Sequence, residues 1–434
     1  MNSKQAPAPG DIDTGFPPIS VPDPDQGANL DPYIILLLAN GDMILGCSPC
    51  VIVKFKADHE LDTTFGDNGY VLIQLDQTPY SLESIDRLPD GGYILRIETV
   101  TEIDDTRLTC LALVRLTSTG QRDPDFGQDG VRLYPLPGGA SLPPLLRKLY
   151  RHLDSIDIAT SPNRFPDRVS GDLSVQADGT LFVLMSVKDI DAGTYRSYVL
   201  KLLGNGDIDP GFNGNGLMEP VGCTSFVAHA MVVQNDEAFV ISGVYPPPGS
   251  RRNGIGFTAR FNRDGSLDNT FAEDGHFIDF GPYDYTRWHF LLSHKNGNIA
   301  CVGHNGAHTI VGKGLTKACT LDENGNNPSS IVARLAPNTT EDAALRTFTA
   351  VLDRAGRVVV AGRQLGPGQY TRGFLGRVNR DGHVDEHLGY KGVRIYEDFG
   401  SLDALVESSE GDCYLTSALQ NIGANKIYRI IGTK

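Results

Sequence analysis

One pattern, G-x-x-D-x-x-F-G-x-x-G, recurs along the chain and leaves few folds open. It is complete at Gly120–Gly130, with close copies at Gly206–Gly216, Gly265–Gly275 and Gly382–Gly392, and at His59–Gly69 with the first glycine replaced. The aromatic positions Phe65, Phe126, Phe212 and Phe271, with Leu388 as their equivalent, are spaced 61, 86, 59 and 117 residues apart. Those steps resolve to a period near 58 with one insertion and one degraded copy, at Gly325-Asn326-Asn327-Pro328. A further copy, Gly10 to Phe16, stands at the N-terminus. Between copies lies a second element, an apolar run, a turn dipeptide and another apolar run. Its turns are Asn40-Gly41, Asp90-Gly91, Asp178-Gly179, Asp236-Glu237, Asn296-Gly297, Ala355-Gly356 and Glu410-Gly411. Asn-Gly or Asp-Gly between alternating apolar segments signals a hairpin, because a type I′ turn needs positive φ at both central residues.

Each unit therefore holds two hairpins, strands A–B and C–D, which is the signature of a propeller blade. The expected fold is all-β, a single β-propeller of seven four-stranded blades, with six and eight as the neighbouring counts. The last unit, Leu402 to Ile430, stops after strand C. Segment 10–20 is therefore expected to complete the C-terminal blade and close the ring without an open edge. Residues 1–9 read as a disordered tail and 10–434 as the propeller.

The unit resembles the bacterial delta-60 repeat, best at Arg260-Phe261-Asn262-Arg263-Asp264-Gly265-Ser266-Leu267-Asp268-Asn269-Thr270-Phe271 and again at Arg377 to Gly382. The resemblance runs over about 10–434. It implies propeller-forming repeats of about sixty residues and no activity, so it carries no catalytic residue. The fifth unit departs from it at 326–330, where an irregular outer strand is expected.

The recurring Asp13, Asp62, Asp123, Asp209, Asp268 and Asp385 read as acceptors for backbone N–H groups of their own turns. Phe16, Phe65, Phe126, Phe212 and Phe271 read as fillers between blades. Asn262, Asp264 and Asp268 could suggest calcium, but the EF-hand spacing is not met. No metal and no cofactor is expected.

Composition narrows the function. With 38 Lys and Arg against 53 Asp and Glu, the formal charge of −15 lacks the basic footprint of a nucleic-acid binder. One Trp excludes a WD-type repeat. The N-terminus has no apolar signal region, and the run Tyr33–Ala39 is far short of a membrane span. Synthesis in the cytoplasm is expected, with signal-less export left open. Seven cysteines do not form a disulfide framework. Cys47-Ser48-Pro49-Cys50 is the one CxxC; two strand-end cysteines flanking a proline turn is favoured over a redox pair.

The A–B and C–D turns are regular and share one face of the disc. The B–C loops and the D–A connections fall on the other face and differ in every blade, which is where binding usually resides. The B–C loops are Cys47–Cys50, Glu102–Arg107, Lys188–Arg196, Tyr245–Arg252, His304–Lys317 and Gly366–Arg372. The binding candidates there are Tyr195, Tyr245 and Tyr370 as aromatic platforms, Arg251, Arg252 and Arg372 as polar clamps, and His304 and His308. A D–A insertion at 137–168 reads as an amphipathic helix, with a leucine stripe opposed by Arg147, Lys148, Arg151 and His152. Packing on the disc is favoured over an anionic partner or a membrane surface.

His276, His289, His294, His304 and His308 cluster in sequence with Cys301 and Trp288, yet without zinc spacing. Strand A reads as apolar except for Asp86, Arg87, Arg287 and His289, which argues against an enzyme. The leading expectation is a non-catalytic binding scaffold whose loop-rich face contacts a protein or glycan. The alternatives are a hydrolase or lyase with its site at the channel mouth, and a structural component of a secreted assembly or toxin.

Overall fold

A computed structural model of the chain describes residues 8–432 except 25–28, 76–79, 104–105, 136–170, 190–193, 221–225, 235–236, 246–254, 280–285, 306–314, 329–331, 337–343, 367–370, 409–410, 412 and 421–424. The strands form seven antiparallel sheets in which neighbours in sequence are neighbours in space. Strand A of each blade runs over Asn29–Leu37, Tyr80–Arg87, Gly171–Val175, Val227–Val233, Thr286–Ser293, Ala344–Leu352 and Phe399–Glu407. Each strand A contacts strand A of both neighbouring blades, so the A strands wall the central axis. The protein is an all-β, seven-bladed β-propeller.

No helix occurs among the described residues, so the helical part of the expected fold finds no support there. The insertion at 137–168, with Arg147, Lys148 and Arg151, lies outside the described residues. No described helix is long and apolar enough to cross a membrane. Several strands also run further than expected. In blade two, Tyr93–Ile103 pairs with Thr106–Leu116 up to Ile103 opposite Thr106, turning most of the expected loop Glu102–Arg107 into strand. The β-branched run Thr99-Val100-Thr101 explains the extension.

The repeated residues hold each blade to the next. Asp62, Asp123, Asp209, Asp268 and Asp385 each donate a backbone N–H to the carbonyl of the residue eight positions earlier on strand C. Their Oδ1 atoms accept the N–H two residues on, as with Thr64 at 3.2 Å, Asp125 at 3.0 Å and Thr270 at 3.0 Å. The residue eight positions earlier is always basic, and its side chain pairs with the same aspartate. Lys54–Asp62 is 2.8 Å, Arg115–Asp123 2.8 Å and Arg377–Asp385 2.7 Å. The aromatic that follows points into the next blade. Phe65 sits among the buried side chains of blade two, Phe126 of blade three, Phe212 of blade four and Phe271 of blade five. Gly120 of blade two has φ +82, and a Cβ there would lie 2.8 Å from the Phe65 ring, so two separate constraints require glycine.

The seventh sheet has three strands, Phe399–Glu407, Cys413–Gln420 and Lys426–Ile431. Ile12 bridges Ile430 and Ile19 bridges Ile427, both antiparallel, so the N-terminal segment lies against its outer edge. Arg429 Nε donates to Asp13 Oδ2 at 2.7 Å, the same contact that Arg377 makes with Asp385 inside blade six. Phe16 packs with Met43, Val53 and Phe55 of blade one, as the other repeat aromatics pack forward. In blade five the degraded copy leaves strand D as Ala333–Leu335, and the residues before it lie outside the described set.

The Lys54 hydrogen bond, with that of Thr64, holds the Asp62 carboxyl down at about 2. A carboxyl depressed on folding stabilises the fold above its unfolded value, and that contribution disappears as pH falls from about 4 to about 2. Asp62→Asn is therefore expected to destabilise the protein at neutral pH and to melt like the natural protein below pH ~2, where both carry a neutral side chain. Melting curves across that range check it; an equal gap at all pH values would refute the assignment.

Candidate functional site

Strand A departs from a regular ladder at one repeated place. The pairing with strand B skips Tyr33, Glu83, His229, His289, Phe348 and Asp403, each a β-bulge. Each stands seven residues before the first residue of its A–B turn, and in blade three Gly171 holds that place. A bulge bends the strand and re-aims a side chain, and bulges are enriched beside functional sites. The positions form a ring on the innermost strands, in the half nearer the loop face. The bulged geometry repeats in six blades while the chemistry does not, with two aromatics, two carboxylates and two imidazoles, and in blade three Gly171 pairs regularly with Met185.

Neighbouring members meet across blade boundaries. The His229 and His289 rings are 4.7 Å apart, and His289 stacks on His304 of strand B at 4.6 Å and 19°. On the next blade, Arg346 on strand A is the cross-strand partner of Arg363 on strand B, whose guanidinium lies 5.4 Å over the Phe348 ring. Burial and Arg346 together lower the Arg363 pKa. Asp403 accepts from Ser401 Oγ at 2.8 Å.

A second polar seam lies between blades two and three. Ser84 Oγ donates to Asp86 Oδ2 at 3.0 Å, and Arg96 Nη1 donates to the Gly171 carbonyl at 3.3 Å. Asp172 Oδ2 accepts the Met231 N–H of blade four at 2.9 Å. Burial, helped by the neighbouring Asp172 charge, lifts the Asp86 carboxyl to about 7. Burial raises Asp172 as well. The expectation of a mostly apolar strand A holds at Leu36, Val232, Leu292, Val351 and Val406; Asp86 takes the same place in blade two, and the bulged positions add polar groups toward the loop face.

Of the loop candidates, His304 joins the ring through His289. Arg372 lies at the start of strand C of blade six and pairs with Glu397 at 2.7 Å. Tyr195 opens strand C of blade three opposite Lys188, and Tyr245 ends strand B of blade four opposite Ile255, so both stand at the loop end. Arg251, Arg252, His308 and Tyr370 lie outside the described residues. The histidines close in sequence lie apart in space: His276 is on an outer strand and His294 beside an A–B turn. Among the described members His289 and His304 meet, and the ring brings in His229, which residue types alone did not mark. The fixed offset from each turn was the readable signal. Among the described residues no group of three or more His, Cys, Asp or Glu could hold a metal ion. Asp264 and Asp268 accept from Ser266 and Thr270 within their own turns.

Cys47 and Cys50 flank a cis proline turn and face opposite ways. Cys47 packs between blades seven and one, and Cys50 between blades one and two. Burial raises both thiols, Cys50 to about 12. A thiol reagent such as Ellman's is expected to leave both unmodified in the folded protein; rapid modification of both would restore the redox reading.

Comparison with known proteins bears on the fold. A family model described as a β-propeller domain of unknown function (DUF5122) matches residues 256–271. No curated protein matches the chain in sequence. Among solved structures, prolyl oligopeptidase B from Galerina marginata is 9% identical with a TM-score of 0.45, over 89% of this chain and 46% of that one. The chain thus spans about half the length of that protein. The Cps50 (Swd1) β-propeller domain from Myceliophteria thermophila is 6% identical with a TM-score of 0.45, over 98% and 100% of the two chains. An endo-arabinase from Bacteroides thetaiotaomicron is 12% identical with a TM-score of 0.33, over 81% and 93%.

Proposed function

We propose that the protein is a non-catalytic binding module whose protein or glycan ligand sits on the loop-rich face, over the ring of bulged residues at the channel mouth. One observation carries the reading. The aspartate–cation pair of the repeat recurs in six blades, whereas the bulged position keeps its geometry in six blades and its chemistry in none of the neighbouring pairs but His229 and His289. A position whose backbone is held and whose side chains diversify suits recognition of an asymmetric ligand. Tyr33 and Phe348 supply flat apolar faces, Glu83 and Asp403 acceptors, and the histidines and Arg363 donors. The loop candidates Tyr195, Tyr245, Arg251, Arg252, Tyr370 and Arg372 would extend that surface outward. A glycan array and a pulldown test the reading, with Tyr33→Ala and Phe348→Ala as controls. A ligand whose binding ignores both substitutions would place the site elsewhere.

One observation favours a second reading, a hydrolase or lyase: Asp86, near the turn end of strand A and so deeper in the channel than the bulged ring, is held at about 7, the range of a working general acid or base. Turnover in a broad hydrolase screen that Asp86→Asn abolishes would establish it. We also infer that the chain is an array of delta-60-type repeats. The matched residues 256–271 fall on its best copy, and the same hydrogen bonds recur at the other copies. Synthesis in the cytoplasm and the domain limits given above stand as part of this proposal.

A further inference from the structure

On the turn face, opposite the channel-mouth site, a groove of about 560 Å³ opens between blades three and four, lined by Lys201, Asp209, Phe212, Asn262, Arg263 and Asp264. Three departures from the repeat converge on it. Six of the seven A–B turns carry glycine at their second position, with φ between 76° and 89°; blade four carries Glu237 there, at φ 61°. A left-handed backbone costs an L-residue roughly 1–2 kcal/mol, so the glutamate is held against a local preference. The second departure is the cation of strand C. Lys54, Arg115 and Arg377 sit within 2.8 Å of their own repeat aspartate and Arg260 within 3.5 Å, and none of the four has an ion pair with the A–B turn of the next blade among the described residues. Lys201 stands 3.7 Å from Asp209 and instead bonds Glu237 Oε2 of the next blade at 2.9 Å. The third is Arg263, whose largely exposed guanidinium reaches that same oxygen at 3.3 Å.

One carboxylate oxygen is thus clamped between an ammonium from blade three and a guanidinium from blade four. The fold has no need of it, because six blades close the same turn with glycine. The Glu237 side chain is also partly exposed, at 28%. A clamp of this kind recognises a carboxylate and is indifferent to the backbone that delivers it. We propose that this groove binds a carboxylate group presented in trans, with Glu237 as the tethered carboxylate that the ligand displaces. The same chemistry could arrive on an acidic peptide side chain or on a free organic acid.

The test uses the full chain and two probes, a hexaglutamate peptide and glutarate, titrated calorimetrically. The natural protein should bind at least one probe weakly and lose it in Arg263→Met, a substitution at an exposed side chain. Removing an internal competitor raises the competent fraction, so Glu237→Gly and Glu237→Gln should each bind about tenfold or more tightly. Adding Lys201→Met to either should erase the gain. Binding of hexaglutamate without glutarate assigns the groove to acidic peptides, and glutarate binding assigns it to small acids. If neither Glu237 variant gains affinity, or if binding survives loss of both cations, the proposal is wrong. These outcomes are independent of the channel-mouth reading.

Discussion

Asp385→Ala is expected to cost about 3–5 kcal/mol of folding stability, the penalty of leaving one member of a buried ion pair uncompensated. Its partner Arg377 is fully buried, with side-chain exposures of 0% and 5% for the two. The pair sits in a wider network, since Tyr414 hydrogen-bonds Asp353 at 3.0 Å and Arg357 bonds the same carboxylate at 2.6 Å. The loss would also free the His387 N–H that Asp385 Oδ1 accepts at 3.1 Å. Denaturant unfolding measures the effect, and a loss below about 1 kcal/mol would show that the guanidinium finds other partners. The double variant Arg377→Met, Asp385→Leu should recover most of it, because an apolar pair of similar volume removes both desolvation penalties.

Deleting residues 1–20 should have a comparable or larger effect. Phe16 and Ile19 are buried in the assembled ring, at 5% and 8% exposure. Burial of each such side chain is worth roughly 1.5–3 kcal/mol. The deletion also removes the Asp13 partner of Arg429 and bares the edge of strand Lys426–Ile431, which carries the buried Ile427 and Ile430. An unpaired apolar edge is a template for association. The expected outcome is aggregation or a strongly lowered melting point, seen by size-exclusion chromatography and thermal unfolding. A monomer with unchanged melting would mean that the segment decorates the ring without closing it.

The architecture could be read from the chain because its determinants recur. Six aspartates and five phenylalanines at one period announce the blade, and each aspartate then does in space what its turn demands. The basic residue eight positions earlier was just as periodic, at Lys54, Arg115, Lys201, Arg260 and Arg377, but Lys and Arg alternate there and strand C masks them among apolar neighbours. The candidate site was poorly legible for the opposite reason. Tyr33, Glu83, Gly171, His229, His289, Phe348 and Asp403 share no residue type, so only their common distance from a turn unites them. Closeness along the chain says little for the histidines, since neighbours such as His276 and His294 end on different parts of blades four and five. His229 and His289, sixty residues apart, touch because the ring sets adjacent inner strands side by side.

The ion pair between Asp13 and Arg429 joins residues made more than four hundred positions apart. Phe16 and Ile19 leave the ribosome more than four hundred residues before Ile427 and Ile430 exist to pair with them. At roughly 5–20 residues per second this leaves the segment without its partner strand for tens of seconds, while blades one to six can already form. Ring closure therefore waits for blade seven, and a nascent chain stalled within that blade would present both an open blade and a free strand to match it.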